Sequence, residues 1–188
     1  MKNYKITNSA FVNLILASII PFLIWGPFIP DLIVSVSSLF FLYYVFKKKK
    51  YFYFFNIPLT IFFIFCIYCI LLSLFIAENM WLSFESSLFY FRIGIFSCLI
   101  WYLVDKDKDI IIYFYYVLLL CFLALVIDGY IQFFTGQNLL GFEKAYDGRI
   151  SSFFGDELIM GSYLARLFPL FFALFIAKQK NKFEIYFV

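Results

Sequence analysis

The chain has 188 residues, of which 65% are hydrophobic, 26% aromatic and only 14% charged, with a formal charge of +3. A water-soluble domain of this length cannot bury so much apolar surface, which leaves the bilayer as the solvent and excludes an ordinary soluble enzyme. Histidine is absent, which removes the commonest general base and the commonest metal ligand from these residues.

Residues 1 to 8 are polar, with Lys2 and Lys5, and an apolar run from about Ser9 to Trp25 follows. No small-x-small cleavage site succeeds it and another apolar run begins at once. It therefore reads as a retained membrane helix that Pro21 kinks or ends early. Gly26 to Asp31 reads as a tight turn, with Asp31 capping a second helix from about Leu32 to Phe46. Both runs lie near the short end of the roughly 17 to 25 residues that span a bilayer. The block Lys47 to Lys50, followed by the aromatic stretch Tyr51 to Phe55, marks a cytoplasmic loop beside an interfacial aromatic belt rather than a nucleic-acid patch.

A third span is expected from about Ile57 to Ile76, and a fourth from about Leu82 to Val104, which returns to the cluster Asp105 to Asp109. The fifth, about Ile110 to Phe134, leads into a polar, glycine-rich loop over residues 135–157. The sixth, about Leu158 to Ala177, comes back to Lys178, Lys180 and Lys182. All the lysine-rich loops then fall on one side, so both ends are expected to be cytoplasmic and the 135–157 loop periplasmic. An apolar run restarts at Phe183 and stops at Val188, which reads as the N-terminal part of a longer protein. The expected fold is an all-α polytopic membrane bundle of about six transmembrane helices, with residues 1–188 as one integral membrane domain.

The four cysteines, Cys66, Cys69, Cys98 and Cys121, lie inside apolar runs. Cys66 and Cys69 have CxxC spacing, but lack polar surroundings and a second ligand pair, so they read as small residues on helix surfaces and not as a metal site.

Charged side chains at membrane depth cost about 2.5 to 3.5 kcal/mol on insertion scales, so each needs a reason. Glu85, Arg92, Asp128 and Arg166 are the candidates. Glu85 and Arg92, a heptad apart, share one face of the expected fourth helix. One reading pairs Arg92 with Asp128 or Glu85 to lock neighbouring helices. The other has Arg92 and Arg166 lining a cavity open to the outer face, where a planar guanidinium can bond two oxygens of an anionic head group such as a pyrophosphate. In the loop, Asp147-Gly148-Arg149 reads as a turn that presents Arg149 beside Ser151 and Ser152, with Asp156 or Glu157 capping the sixth helix. There is no Walker or dinucleotide fingerprint, so no nucleotide, metal or other cofactor is expected.

The segment from Asp128 through Gln132, Thr135-Gly136-Gln137-Asn138, Gly148-Arg149-Ile150, Phe153-Phe154-Gly155-Asp156 and Gly161-x-Tyr163-Leu164 resembles the bacterial O-antigen ligase and O-antigen polymerase superfamily. Ser87 to Phe96 is similar to a span that precedes it in such proteins, and the resemblance covers about residues 80 to 175. It implies a polytopic glycosyltransferase of the bacterial inner membrane. Such proteins move a glycan from undecaprenyl pyrophosphate to a periplasmic acceptor: lipid A core, the next repeat unit of a polymer, or protein. It also implies metal-independent chemistry with arginines on the pyrophosphate. Arg149 opens an Arg-x-x-x-Phe element, Arg92 and Arg166 are looser matches, and Asp128, Asp156 and Glu85 support them. Ligases of the family use a histidine in a second-half loop that this chain does not contain, so the resemblance implies the N-terminal half. Two other classes stay open: a transporter or flippase component using Arg92, Asp128 and Arg166 as a path, and a non-catalytic membrane subunit held by ion pairs.

Overall fold

The computed structural model describes residues 2–49, 51–144 and 148–186, with side chains over 10–49, 51–144 and 148–179. Lys50, Asp147 and the last two residues lie outside the described residues, as do the side chains of Lys2, Lys5, Lys180 and Lys182. Helices dominate: α1 (Lys2–Ala17), α2 (Ile19–Trp25), α3 (Phe28–Lys48), α4 (Ile57–Phe75), α5 (Met80–Leu88), α6 (Phe91–Lys106), α7 (Asp109–Thr135) and α8 (Met160–Tyr186). Short 3-10 turns cover Tyr51–Phe54 and Ser152–Phe154.

Among the described residues, five segments are long and apolar enough to cross a membrane: α3, α4, Met80–Lys106, α7 and Met160–Gln179. The protein is an all-α, multi-pass membrane protein. The first apolar run, Ala10–Trp25, falls short of spanning length. It breaks at Ser18, because Pro21 has no N–H to give the Ala17 carbonyl. There the Ser18 hydroxyl bonds back to the Ile15 carbonyl at 2.7 Å.

Two expectations about local structure are corrected. Asp31 does not cap the second helix: α3 starts earlier, at Phe28, because Pro30 is tolerated in a first turn where no intrahelical N–H is needed. The expected fourth span is also not one continuous helix, being interrupted at Phe89 and Tyr90. Ser86 and Ser87 turn their hydroxyls back onto the carbonyls of Leu82 and Ser83, at 3.0 and 2.8 Å. Such back-bonding weakens a helix ladder, and i to i−3 bonds from Tyr90 and Arg92 then tighten the chain at the break. Glu85 on α5 and Arg92 on α6 therefore do not share a face of one continuous helix.

The chain packs as two compact units, one of residues 1–30 with 108–188 and the other of residues 31–107. In the second unit, Asn56 caps α4 by accepting from the Leu59 N–H at 2.8 Å. Phe41, Val45, Leu59, Ile95 and Cys98 form a core between α3, α4 and α6. The lysine-bearing ends of α3 and α6 meet: Tyr102 donates to the Tyr44 hydroxyl at 2.9 Å, and the Tyr53 ring packs edge-on to both Trp101 and Tyr102 at 5.4 Å. In lipid, helix association rests on close packing and polar contacts rather than on escape from water. Gly94 supplies such a contact, since a Cβ there would lie 2.9 Å from the Phe62 ring. Gly94→Val is expected to cost about 2 kcal/mol by overpacking, read as a lowered melting point of the purified protein in detergent.

In the first unit α7 is central, with α1, α2 and α8 packed on it. Ile20, Leu118 and Cys121 form its core, flanked by Leu167 and Phe171 of α8. Tyr163 of α8 donates to the Ile20 carbonyl at 2.8 Å. At the start of α7, the Lys178 ammonium lies over the rings of Tyr115 and Tyr116 at 4.3 and 4.1 Å and donates to the Tyr116 hydroxyl at 2.9 Å. This fastens the lysine-bearing end of α8 to the beginning of α7. The polar loop leaves from the other end of α7, roughly 40 Å away at 1.5 Å per residue.

Candidate functional site

One face of α7 is buried along its whole length at helical spacing: Tyr115, Leu118, Cys121, Leu125, Asp128 and Gln132. The last two turn that face from apolar to polar just before the helix ends. Asp128 and Gln132 are both 0% exposed. Buried polar groups must find partners, and here the partners are supplied by the loop that follows.

Asp128 accepts from the Leu139 N–H through Oδ1 at 2.9 Å, and from the Ser152 hydroxyl through Oδ2 at 2.6 Å. The Asn138 amide donates to Oδ2 at 3.4 Å and to the Ser152 carbonyl at 2.8 Å. The Asn138 side-chain oxygen accepts from the N–H groups of Leu140 and Phe142, at 2.9 and 2.8 Å, which closes a tight turn over residues 138–142. Gln132 works on both strands of the loop: its Oε1 accepts from the N–H groups of Ser151 and Ser152 at 3.1 and 2.8 Å. Its Nε2 donates to the carbonyls of Phe142 and Glu143 at 3.2 and 3.3 Å. Ser152 sits at φ 52, a left-handed conformation uncommon for serine, and its N–H, hydroxyl and carbonyl are all engaged there.

Glycine has a defined use at two places. Gly136 adopts the left-handed cap of α7 at φ 88 and bonds its N–H to the Gln132 carbonyl at 3.1 Å. Gly129, buried on α7, lets Met160 and Ile150 approach: a Cβ there would lie 2.9 Å from Met160 Cε and 3.4 Å from Ile150 Cγ2. The residue after Gly148 and before Ile150 is Arg149, which the folded loop carries on its exposed rim. Lys144 donates to the Phe133 carbonyl and places its ammonium over the Phe133 ring at 4.8 Å, tying the far side of the loop to the end of α7.

The other sequence candidates are placed as follows. Asp128 has neutral donors as its partners and is not the partner of Arg92. Arg92 instead donates to Asp31 at 2.8 Å and to the Ser35 hydroxyl at 3.1 Å, which locks α6 to α3 within the second unit. Glu85 is exposed on α5 and Arg166 is exposed on α8. Asp156 and Glu157 do not cap α8, which begins later, at Met160; both are exposed, and the Glu157 N–H bonds back to Phe154 at 3.2 Å. Gln132, Asn138 and Ser152 occur in the sequence motifs, but their role as anchors of the loop is not among the sequence expectations. The signal that would have found two neighbouring positions of the anchor is the α7 stripe itself, because Asp128 and Gln132 continue the spacing of Leu118, Cys121 and Leu125.

Beside the loop, a cavity of about 470 Å³ runs between α2 and α7, with Trp25 and Leu120 on its walls and Leu140 and Phe153 of the loop at one end. It is almost wholly apolar. Among the described residues no three or more Cys, Asp or Glu side chains gather as a metal site. The four cysteines are free thiols, with Cys98 donating to the Tyr53 carbonyl at 3.3 Å. The arrangement thus offers an apolar slot, a rigid polar loop beside it and an arginine on the rim.

In comparisons with family models, with curated proteins and with solved structures, none matches the chain.

Proposed function

We propose that the chain acts on a lipid-linked glycan, as the N-terminal half of a membrane glycosyltransferase of the kind it resembles, the O-antigen ligases and polymerases. The observation that carries this reading is the anchored loop: Asp128, Gln132, Asn138, Ser151 and Ser152 hold it at the end of the bundle with Arg149 on its rim. An exposed arginine on an anchored loop, whose Leu140 and Phe153 also line an apolar cavity, suits an amphipathic substrate with a hydrocarbon tail and a pyrophosphate head. Lys178 lies on α8 against the start of α7, at the end of the first unit remote from the loop, and by the positive-inside rule this supports an outer, periplasmic loop in a bacterial inner membrane.

In this reading the acceptor hydroxyl, on lipid A core or on a growing glycan, attacks the anomeric carbon as the bond from that carbon to the pyrophosphate oxygen breaks, and the hydroxyl proton passes to water at the membrane surface. The leaving pyrophosphate gathers charge, and Arg149 stabilises it, with Arg166 as a second contact from α8. Arg92 has the separate task of joining α6 to α3 through Asp31, and Asp156 and Glu85 stand aside from the chemistry.

The test is binding of undecaprenyl pyrophosphate to the purified protein in lipid nanodiscs. Arg149→Ala is expected to weaken it by about tenfold or more, the worth of one charge-assisted hydrogen bond, and Arg149→Lys to restore part of the loss. Equal affinity in wild type and Arg149→Ala sinks the proposal. The helix break at Phe89 and Tyr90 favours a second reading, a transporter, because discontinuous membrane helices commonly frame substrate paths. Counterflow of a lipid-linked glycan in vesicles without any glycan transfer separates it from the first.

A further inference from the structure

Away from the lysine-bearing helix ends, the charged side chains of the spans are Asp31, Glu85, Arg92, Asp128 and Arg166. Asp31 and Arg92 pair at 2.8 Å, and Asp128 is held by neutral donors. Two are left over, one of each sign: Glu85 on α5 and Arg166 on α8. Both are exposed, and neither has a hydrogen bond or ion pair among the described residues. A charge that faces hydrocarbon alone is costly, so each needs a counter-charge.

Each also faces away from the helices it packs on. α8 rests on the core of Ile20, Leu118 and Cys121 through Leu167, Phe171 and Leu174. At about 3.6 residues per turn, Arg166 falls on a different side of α8, with Ser162, Leu170 and Ala173. The small side chains of Ser162 and Ala173 leave room there for another helix to come close. α5 rests on α4 at the 2.9 Å contact of Ser87 with Ser73. Glu85, two residues before Ser87, lies on the opposite side of α5, the side that carries the exposed rings of Trp81 and Phe89. The two charges share a depth as well. Met80–Lys106, α7 and Met160–Gln179 are consecutive spans that cross in alternate directions, so the first and the last begin on the same face. Glu85 and Arg166 sit roughly 8 to 9 Å past those beginnings at 1.5 Å per residue.

We infer that the chain pairs with a second copy of itself, α8 of each copy lying against α5 of the other, with Arg166 bonded to Glu85 of the second copy. A two-fold axis along the membrane normal makes the contact twice, which neutralises both leftover charges of both copies. It also holds the copies at one depth, as the matched positions of Glu85 and Arg166 require. Bulky Trp81 and Phe89 then meet the small side chains of Ser162 and Ala173. The guanidinium has five N–H donors, so one edge holds the carboxylate while the other stays open to a pyrophosphate.

The experiment is energy transfer between donor- and acceptor-labelled full chains in liposomes, followed as the protein is diluted into lipid. Transfer is expected for the wild type. Glu85→Arg or Arg166→Glu alone is expected to weaken self-association by about tenfold or more, because each homodimer then sets like charges together twice. The deciding sample mixes Glu85→Arg chains with Arg166→Glu chains, whose charges are again opposite at both contacts; these are expected to associate as strongly as wild type. Glu85→Gln serves should a reversal fail to insert, and is expected to weaken self-association by about threefold or more. Arg149→Ala is expected to leave association unchanged, so that loss of the pyrophosphate contact and loss of the dimer read differently. Absence of transfer in the wild type, which would mean that Arg166 reaches the head groups alone, overturns the inference. So does wild-type association in Glu85→Gln, or failure of the mixed variants to associate, which would place the pair within one chain.

Discussion

Asp128→Ala is expected to lower the stability of the purified protein by about 3 kcal/mol. The change takes an acceptor from three donors: the Leu139 N–H, one N–H of the Asn138 amide, and the Ser152 hydroxyl, which has only the longer contact to the Leu125 carbonyl at 3.3 Å to fall back on. Each unsatisfied buried donor costs on the order of 1 kcal/mol or more, and no water reaches a site that is 0% exposed. Asp128→Asn is the informative companion. It keeps an oxygen for Leu139 but turns an amide toward Ser152 and Asn138; Ser152 can redirect its proton to the Leu125 carbonyl, 3.3 Å away, while Asn138 cannot adapt. The expected cost is therefore smaller, about 1 kcal/mol. Thermal unfolding in one detergent, followed by tryptophan fluorescence, ranks the three proteins. An Asp128→Ala protein as stable as wild type would mean that the loop is not held from α7.

The second large effect is expected at Gly129. Alanine there presses on Met160 Cε, the far end of a flexible side chain, and costs little. Leucine has nowhere to go: it must push aside both Met160, at the start of α8, and Ile150, the neighbour of Arg149. Overpacking of this kind costs about 2 kcal/mol. Because Ile150 moves, binding of undecaprenyl pyrophosphate should fall as far as it does in Arg149→Ala, although no residue that touches the ligand has been changed. Stability loss with unaltered binding would separate the packing of Gly129 from the placement of Arg149.

How much of this was legible in the sequence varies with the kind of interaction. The spans α4 and α7 were readable to within a residue or two because hydrophobic runs bounded by lysines or by Asn56 carry their own punctuation. The break at Phe89 and Tyr90 was not. It contains neither proline nor glycine and its hydropathy is continuous; the cause is the serine back-bonding just before it, which only coordinates reveal. Gly26 to Asp31 has the composition of a turn with Asp31 as a cap, but the first turn of a helix accepts proline, and α3 starts at Phe28. Its depth in the sequence shows that Asp128 needs a partner, but an arginine is only one of the groups that can serve, and the structure supplies neutral donors instead. The nearest suitable donors were neutral ones ten and more residues downstream, and which donors come near is decided by how the loop folds back on α7. The Asp128 and Gln132 stripe was visible in the spacing, while the matching positions Asn138, Ser151 and Ser152 lie in irregular chain that has no period to read.

Amide hydrogen exchange of the protein in lipid nanodiscs tests the account most directly. If Asp128, Gln132 and Asn138 hold the loop, the N–H groups of Leu139, Leu140, Phe142, Ser151 and Ser152 should exchange as slowly as those in the last turns of α7, and Asp128→Ala should release all five together. Exchange of these amides in the wild type as fast as in an unstructured surface loop would contradict the anchored loop, and with it the fixed placement of Arg149 on which the proposed function depends.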